Sequence, residues 1–265
     1  MKKAFLILAD GTIFEGKAIG ADGTSIGETV FTTGMTGYVE TLTDPSYYGQ
    51  IVTQTFPLVG NYGVIPQDFE SEKSWVKGYI VRELCDEPSN FRSQGALDVF
   101  LREQNITGIC GIDTRALTKK LRESGVMNGM LVGGQEEKPK VDDDLLAKIR
   151  SYKIERAVES VQNIGAVHPR PQRPHEAASR SKHIVLWNFG AKANIQRELE
   201  KRGCNVTVVP CGSSAKEILA LKPDGIMLSN GPGDPADNVE TIQEIKKICE
   251  ARLPIFGICL GHQDR

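Results

Sequence analysis

The chain has 265 residues, 40% of them hydrophobic and 25% charged, which is enough material for two domains with separate cores. Its formal net charge of −2 provides no basic field to attract nucleic acid or an anionic membrane, so we expect neither as a partner. The six cysteines show no metal-ligand or disulfide-framework spacing. This usage favours reduced thiols in a cytoplasmic protein without a metal site.

The first half of the chain has the pattern of a strand-rich domain. A short apolar run at 4–9 ends in Asp10-Gly11, a pair typical of a hairpin turn, so it predicts a first β-strand rather than a signal peptide. β-Branched and aromatic runs separated by glycines predict further strands, and helical periodicity is only local. The predicted strands are 29–33, 50–56 and 78–84, and the predicted helices are 96–104, 115–122 and 142–151.

A proline-rich segment around 167–176 divides the chain. It holds three prolines in the six residues 169–174 and little that could be buried, which is typical of a linker. Short apolar runs then alternate with helical patterns, which predicts a parallel sheet with right-handed crossovers. The predicted order is strand 183–189, helix 194–201, strand 205–210, helix 214–221, strand 225–229, helix 239–251 and strand 254–258.

The last predicted strand leads into a cysteine between two glycines. Cys259 stands between Gly257 and Gly261, the pattern of a nucleophile elbow, in which glycines avoid Cβ clashes and the central residue projects into a cleft. The positive end of the following helix favours the thiolate, the form that attacks a carbonyl carbon. Ligands of parallel sheets bind beyond the carboxyl ends of the strands. The sequence therefore predicts a catalytic cysteine at 259.

The neighbouring strand ends in a turn rich in glycine and proline, at 229–235. Such a rigid turn fixes the amide of Gly231 next to the thiol, where it would form a two-donor oxyanion hole with the amide of Leu260. A tight strand-to-helix connection uses the same residue types, so the loop alone leaves both interpretations open.

The same loop also satisfies the dinucleotide fingerprint G-x-G-x-x-A at 231–236. That alternative would make the protein a nicotinamide or flavin enzyme. Pro232 and Pro235 lack the amide hydrogens that a pyrophosphate needs, and the next strand ends in Cys259 where a ribose-binding carboxylate would stand. Both features weigh against it.

Several motifs resemble those of a known family. The segments 229–235 and 257–263 together resemble the paired motifs of class I (triad-type) glutamine amidotransferases. Further motifs narrow the resemblance to the small subunit of carbamoyl-phosphate synthase, over essentially every segment up to Gln263. These motifs are 33–38, 43–47, 56–63, 111–118 and 188–190 with Lys192 and Asn194.

The resemblance implies an α/β fold. A mixed, β-rich N-terminal domain (1–166) and a Pro-rich linker (167–182) would precede an incomplete parallel-sheet class I glutamine amidotransferase domain (183–265). It implies a glutaminase that attacks the side-chain amide of L-glutamine, forms a γ-glutamyl thioester and releases ammonia to a large synthetase subunit. With that ammonia, the complete synthetase would make carbamoyl phosphate for arginine and pyrimidine biosynthesis. ATP, Mg²⁺ and bicarbonate are expected at the large subunit, and no cofactor in this chain.

Site residues are carried over from the resemblance position by position. Ser46, which follows Asp44-Pro45, would be interpreted from its own context as a turn residue, and only the resemblance gives it a role. Cys259 matches the nucleophile, and the amides of Gly231 and Leu260 match the oxyanion hole. The positions expected to contact glutamine are Ser46, Gly231, Gly233, Leu260 and Gln263.

The chain departs from the family in one respect. A cysteine nucleophile of this kind needs a histidine base oriented by a carboxylate, and the resemblance places both beyond Arg265. None of the four histidines, at 168, 175, 183 and 262, fits that role, and Asp264-Arg265 replaces an expected apolar helix. We therefore expect a truncated small subunit that is inactive alone. The alternative is a non-catalytic docking subunit of the synthetase.

Overall fold

The structure is a computed structural model that describes residues 2–162 and 181–264. The chain forms two compact units. The first comprises Met1–Thr43, Gly49–Phe69 and Lys73–Ile154, and the second comprises Asp44–Tyr48, Glu70–Glu72 and Glu155–Arg265. Most of the predicted linker, with His168 and His175, lies outside the described residues, so the predicted domain boundaries stay predictions.

The first unit consists mainly of strands, as its sequence predicts. Its helices are α1 (Tyr38–Thr43), α2 (Leu97–Glu103), α3 (Thr114–Ser124) and α4 (Asp143–Arg150). Its strands are β1 (Lys3–Leu8), β2 (Ile13–Gly20), β3 (Gly23–Thr32), β4 (Gln50–Gln54), β5 (Leu58–Val59), β6 (Gly78–Ile80), β7 (Glu83–Leu84), β8 (Thr107–Cys110) and β9 (Met127–Gln135).

Seven of these strands close into a barrel in the order β1-β2-β8-β6-β4-β3-β9. The predicted hairpin at Asp10-Gly11 is confirmed, because β1 and β2 pair antiparallel on either side of it. The predicted single strand 78–84 is wrong. Its first part, β6, pairs with β4 in the barrel, whereas its last part, β7, pairs with β5 in a separate two-stranded sheet.

Strand β1 is buried on both faces. Leu6 and Leu8 pack in one apolar cluster with Leu131, while Ile7 packs in another with Ile149 of α4. Because neither face meets solvent, the strand lacks the alternation of apolar and polar residues that a half-exposed strand shows. This two-sided burial accounts for the unbroken apolar run near the N-terminus.

The second unit alternates strands and helices, as predicted. After α5 (Ala157–Ser160) come β10 (His183–Asn188), α6 (Ala193–Lys201), β11 (Asn205–Pro210), α7 (Ala215–Ala220), β12 (Gly225–Leu228), α8 (Val239–Glu250), β13 (Ile255–Gly257) and α9 (Leu260–Gln263). The predicted serine start of α7 is also confirmed, because Ser214 and Glu217 form a reciprocal capping box.

The four strands of this unit form a parallel sheet in the order β11-β10-β12-β13. Trp187, Leu228 and Gly257 occupy the same register across β10, β12 and β13. The chain therefore leaves these three strands at one edge of the sheet, the carboxyl edge where ligands of such folds bind. The predicted α/β class and the parallel sheet of the second half are confirmed.

The core of the second unit lies between the sheet and its helices. Trp187, Leu228 and Leu260 are each at most 1% exposed and pack in one cluster with Ile245 and Ile248 of α8. Leu260 is the residue after the predicted nucleophile, so the start of α9 is anchored in this core. In the described part of the chain, no helix is both long and apolar enough to cross a membrane.

Candidate active site

Cys259 occupies a strained turn between β13 and α9. Its backbone angles are φ 50° and ψ −113°, outside the regions that L-residues ordinarily adopt. Its carbonyl oxygen accepts hydrogen bonds from the amides of His262 at 2.9 Å and Gln263 at 3.0 Å, which begins the helix at once. The side chain is exposed. This is the backbone geometry of a nucleophile elbow.

Two glycines allow the elbow to fold against itself and against β12. A Cβ atom at Gly257 would lie 2.6 Å from the carbonyl oxygen of Gly261, and one at Gly261 would lie 2.6 Å from the carbonyl oxygen of Ser229. The amide of Gly261 donates to that same Ser229 oxygen at 3.1 Å. A side chain at Gly257 would therefore open the elbow itself, and one at Gly261 would push the elbow away from the end of β12.

The amides of Gly231 and Leu260 lie on adjoining buried backbone. A Cβ atom at Gly231 would lie 2.7 Å from Leu260 Cδ2 and 2.5 Å from the carbonyl oxygen of Phe189, so the two loops touch. Across residues 2–162 and 181–264, neither amide donates a hydrogen bond. Buried amides are nearly always paired, and an unpaired couple beside a cysteine is an arrangement suited to an oxyanion.

Ser46 belongs to the second unit although it comes early in the sequence. It lies in a 3₁₀ turn (Pro45–Tyr47) whose first amides are capped by Asp44, with Ser46 N donating to Asp44 Oδ1 at 2.9 Å. The side-chain amide of Asn230 donates to Ser46 Oγ at 2.8 Å. The structure thus brings Ser46 next to the loop that carries Gly231.

An ion pair between a buried carboxylate and a partly exposed lysine holds the same turn. Lys192 Nζ lies 2.7 Å from Asp44 Oδ2, and the Asp44 side chain is only 5% exposed. Partial burial by itself lowers the pKa of Lys192, but the charge and hydrogen bond of Asp44 outweigh it and hold the pKa above its ordinary value. The lysine therefore stays charged at neutral pH and keeps the Asp44 carboxylate in place.

Glu70 attaches the second early segment to helix α6. Its carboxylate accepts from the amide of Asn194 at 3.0 Å and from Asn194 Nδ2 at 2.9 Å, and its carbonyl oxygen accepts from the amide of Ala193 at 2.9 Å. The two backbone amides belong to the first turn of the helix, where backbone N–H groups have no intrahelical partners. A carboxylate at this end also interacts favourably with the helix dipole.

Two further predicted site residues lie in the loop of Gly231 and in α9. Gly233 has φ +88°, and a Cβ atom there would lie 2.8 Å from Ala157 Cβ of α5. Gln263 is in α9 with an exposed side chain. The predicted contacts of both residues with glutamine stay predictions, as do the roles of Cys259, Gly231 and Leu260.

The described histidines are His183 and His262. His183 starts β10, so it lies at the edge of the parallel sheet opposite to Cys259, and its Nε2 is 2.9 Å from Thr207 Oγ1. His262 is exposed in α9, where its amide donates to the carbonyl oxygen of Cys259. Within the described residues, neither imidazole forms a hydrogen bond with Cys259 through which it would accept the thiol proton.

Comparison with known proteins decides the family. A family model described as carbamoyl-phosphate synthase small chain, CPSase domain, matches residues 6–131, and one described as glutamine amidotransferase class-I matches residues 185–264. The chain belongs to the carbamoyl-phosphate synthase small-chain family. This confirms the resemblance inferred from the motifs, and the second match coincides with the parallel sheet.

Curated members of the carbamoyl-phosphate synthase small-chain family align along nearly the whole chain. The carbamoyl phosphate synthase small chain of Listeria monocytogenes serotype 4b (strain F2365) is 51% identical over 99% of this chain and 69% of its own length. That of Fusobacterium nucleatum subsp. nucleatum is 50% identical over 97% and 69%, and that of Oceanobacillus iheyensis 48% over 99% and 69%. A solved aminopeptidase from Aneurinibacillus sp. strain AM-1 matches at a TM-score of only 0.29 with 13% identity, covering 85% of this chain and 56% of that one.

The sequence analysis missed two polar residues that support the candidate site. Asn230 and Glu70 are 2% and 5% exposed, and both are hydrogen-bonded to backbone and side-chain groups of other segments. A polar residue placed just beyond a buried strand, as Asn230 is two positions after the end of β12, signals an internal hydrogen-bonding role. Glu70 carries no local signal, because its partners are more than a hundred residues away along the chain.

Proposed function

We propose that this protein is the glutamine-hydrolysing subunit of a carbamoyl-phosphate synthase. The observation that carries the proposal is the elbow at Cys259, with its strained backbone and the two unpaired amides of Gly231 and Leu260 beside it. Family membership supplies the substrate class, L-glutamine.

The elbow residues suit attack on a carboxamide. The Cys259 thiolate adds to the side-chain carbonyl carbon of glutamine, and the carbonyl oxygen becomes an oxyanion that accepts from the amides of Gly231 and Leu260. When the tetrahedral adduct collapses, the carbon–nitrogen bond breaks, the nitrogen takes up a proton and leaves as ammonia, and a γ-glutamyl thioester remains. Water then hydrolyses the thioester to glutamate. Each oxyanion donor contributes about 3 kcal/mol in sites of this kind.

Besides the oxyanion-hole amides of Gly231 and Leu260, three positions are proposed to bind the rest of glutamine: Ser46 beside Asn230, the backbone at Gly233 and the Gln263 side chain in α9. The first of these is supported by the hydrogen bond from Asn230, which fixes the Ser46 hydroxyl near the oxyanion loop. Glutamine offers an ammonium and a carboxylate group, so polar contacts at these positions would select an amino acid over a simple amide.

A large synthetase subunit is the proposed partner. It would receive the ammonia and hold ATP, Mg²⁺ and bicarbonate, so this chain itself needs no cofactor. The cysteines of the chain are free thiols, which suits the cytoplasm, where thiols stay reduced. The pathways supplied would be those of arginine and pyrimidine biosynthesis.

We further propose that the 265-residue chain hydrolyses glutamine poorly on its own. A thiol nucleophile needs a base within about 3 Å, and within the described residues neither the His183 imidazole nor the His262 imidazole is hydrogen-bonded to Cys259. The same observation favours a second candidate, in which this chain serves as a docking subunit whose cysteine site is not assembled.

Two exposed cysteines allow a test that separates these candidates. Cys249 on α8 and Cys259 are the exposed thiols of the chain, so Cys249 is an internal reference. The full chain is treated with a chloromethyl ketone analogue of glutamine and, separately, with iodoacetamide, and both sites are quantified by peptide mass spectrometry. We expect the analogue to label Cys259 saturably and at least about tenfold faster than Cys249, because reactive thiols sit in specific microenvironments. Equal labelling of both thiols by the analogue would reject the glutamine site.

A further inference from the structure

The side chain of Asn230 connects three separate segments of the second unit. Its Nδ2 donates to Ser46 Oγ at 2.8 Å and to the carbonyl oxygen of Gly190 at 3.0 Å, with a longer approach of 3.4 Å to Asp44 Oδ1. Its Oδ1 accepts from the amide of Lys192 at 3.0 Å. With 2% of the residue exposed, water does not compete for these groups.

Two backbone groups determine which way this amide faces. The Lys192 amide can only donate and the Gly190 carbonyl can only accept, so a flipped Asn230 would set like groups against each other at both positions. Leaving a buried polar group unpaired costs about 1–3 kcal/mol. Asn230 is therefore held in one orientation, with its second hydrogen directed at Ser46.

This orientation defines what the Ser46 hydroxyl offers. The oxygen accepts from Asn230, so the hydroxyl hydrogen remains to be donated. Within the described residues Ser46 Oγ donates to no acceptor, and the residue is partly exposed. A donor with no protein acceptor, beside the loop of Gly231, suits an oxygen of a bound ligand, and a carboxylate oxygen is the strongest such acceptor.

We infer that Asn230 is a positioning residue for glutamine recognition: it holds Ser46 Oγ as an acceptor and so directs the Ser46 hydroxyl hydrogen to the α-carboxylate of glutamine. Asn230 does not touch the substrate and acts through Ser46. The inference rests on the proposed function, because it requires a glutamine site at this edge of the sheet.

The test is a double-mutant cycle on the full chain. The variants are Ser46→Ala, Asn230→Ala and the double variant, with Asn205→Ala, an exposed asparagine of the same unit, as the matched control. Saturation of Cys259 labelling by the chloromethyl ketone analogue gives an apparent dissociation constant and a maximal rate for each. The iodoacetamide rate at Cys259 reports whether the elbow itself is intact, because that reagent has no carboxylate.

We expect Ser46→Ala and Asn230→Ala each to raise the apparent dissociation constant about tenfold, the lower range for a hydrogen bond to a charged group. The maximal rate and the iodoacetamide rate should stay within about twofold. Adding Asn230→Ala to Ser46→Ala should change the constant by less than about twofold, because the residue acts through the hydroxyl already removed. Asn205→Ala should behave as the parent chain.

Two results would overturn the inference. One is that Asn230→Ala raises the apparent dissociation constant equally in the parent chain and in the Ser46→Ala variant. The other is that Asn230→Ala slows the reactions of Cys259 with the analogue and with iodoacetamide by the same factor. Asn230→Asp is the second variant should the alanine variant not fold, since it keeps the oxygen that accepts from Lys192 and lacks the hydrogens for Ser46. An unchanged constant in that variant also overturns the inference. If the analogue labels Cys259 of the parent chain no faster than Cys249, the proposed function itself fails. This result needs no variant, so it is distinguishable from failure of the inference.

Discussion

The carbonyl oxygen of Ser229 accepts a hydrogen bond from the amide of Gly261 at 3.1 Å. This bond ties the first turn of α9 to the end of β12 and sets the elbow beside the loop of Gly231. The backbones approach so closely here that glycine is the residue that fits at 261, because a Cβ atom would meet Ser229 O at 2.6 Å and Leu228 Cβ at 2.6 Å.

We expect Gly261→Ala to lower the free energy of unfolding of the second unit by about 2–4 kcal/mol, because the new methyl group overlaps β12 backbone. Denaturant unfolding followed by fluorescence measures the change. Gly212→Ala is the matched control, since a Cβ atom there meets nothing within 4 Å. Equal stability of the two variants would contradict the close approach.

The strain at Cys259 predicts that removing the side chain there stabilises the fold, whereas adding one at Gly261 destabilises it. Cys259→Gly should be more stable than Cys259→Ala by about 1 kcal/mol, because glycine accepts φ 50° and ψ −113° without steric cost. The same pair of substitutions at Cys249, in helix α8, should show the reverse order by about 1 kcal/mol. Thermal denaturation of the four variants tests both. If the alanine variant were more stable than the glycine variant at position 259 as well as at 249, Cys259 would carry no strain.

The parallel sheet of the second unit was predictable because its cause is local. Each buried strand is a short apolar run and each crossover helix has its own periodicity, so the alternation of elements and the parallel direction of the strands follow from local patterns. The elbow was equally visible, since Gly257, Cys259 and Gly261 lie within five residues of each other.

The barrel of the first unit and the support of the site were not predictable, because they depend on distant pairings. The barrel closes only when β1 pairs with β9, which joins Lys3 to Gln135. The strand 78–84 splits between two sheets for the same reason. Asn230 meets its partners Gly190 and Ser46 across 40 and 184 positions, a separation that no local pattern encodes.

Burial of Asp264 predicts a pH-dependent stability. The residue is 3% exposed, and burial raises the pKa of Asp264 to about 6, against a weaker lowering by the Asn238 hydrogen bond. A folded state that holds a proton more tightly than the unfolded state loses stability as pH rises through the interval from about 4 to about 6.

Asp264→Asn should therefore have no advantage near pH 4 and should be more stable than the parent chain by up to about 3 kcal/mol at pH 7. Urea unfolding at a series of pH values measures the difference. Asp237→Asn, at an exposed side chain of the same unit, is the matched control. A pH-independent effect at 264 would mean that the carboxyl is not titrating in this interval.

Glu70 should matter to the second unit although it precedes that unit's sheet by more than a hundred residues. Glu70→Ala removes the carboxylate that satisfies the first turn of α6, so we expect a loss of about 1–2 kcal/mol. Glu72→Ala, at an exposed carboxylate two residues on, should change stability by less than about 0.5 kcal/mol. Unfolding is followed by Trp187 fluorescence in a Trp75→Phe background. Equal losses would contradict the capping role.

The edge strand β13 carries an exposed aromatic side chain, with Phe256 63% exposed. Apolar strands at a sheet edge pair readily with other chains. Phe256→Lys should therefore reduce self-association of the purified chain, measured by analytical ultracentrifugation across a concentration series, whereas Phe256→Tyr should not. Unchanged association in the lysine variant would exclude this edge as the contact.

The second unit takes Asp44–Tyr48 and Glu70–Glu72 from far upstream in the sequence. A chimaera that took only the segment from Lys182 onward from one protein would not include that protein's Asp44, Ser46 and Glu70. Chimaeras between relatives of this protein should therefore exchange those two short stretches together with the sheet. Although the gene encodes these segments far apart, they fold into one unit.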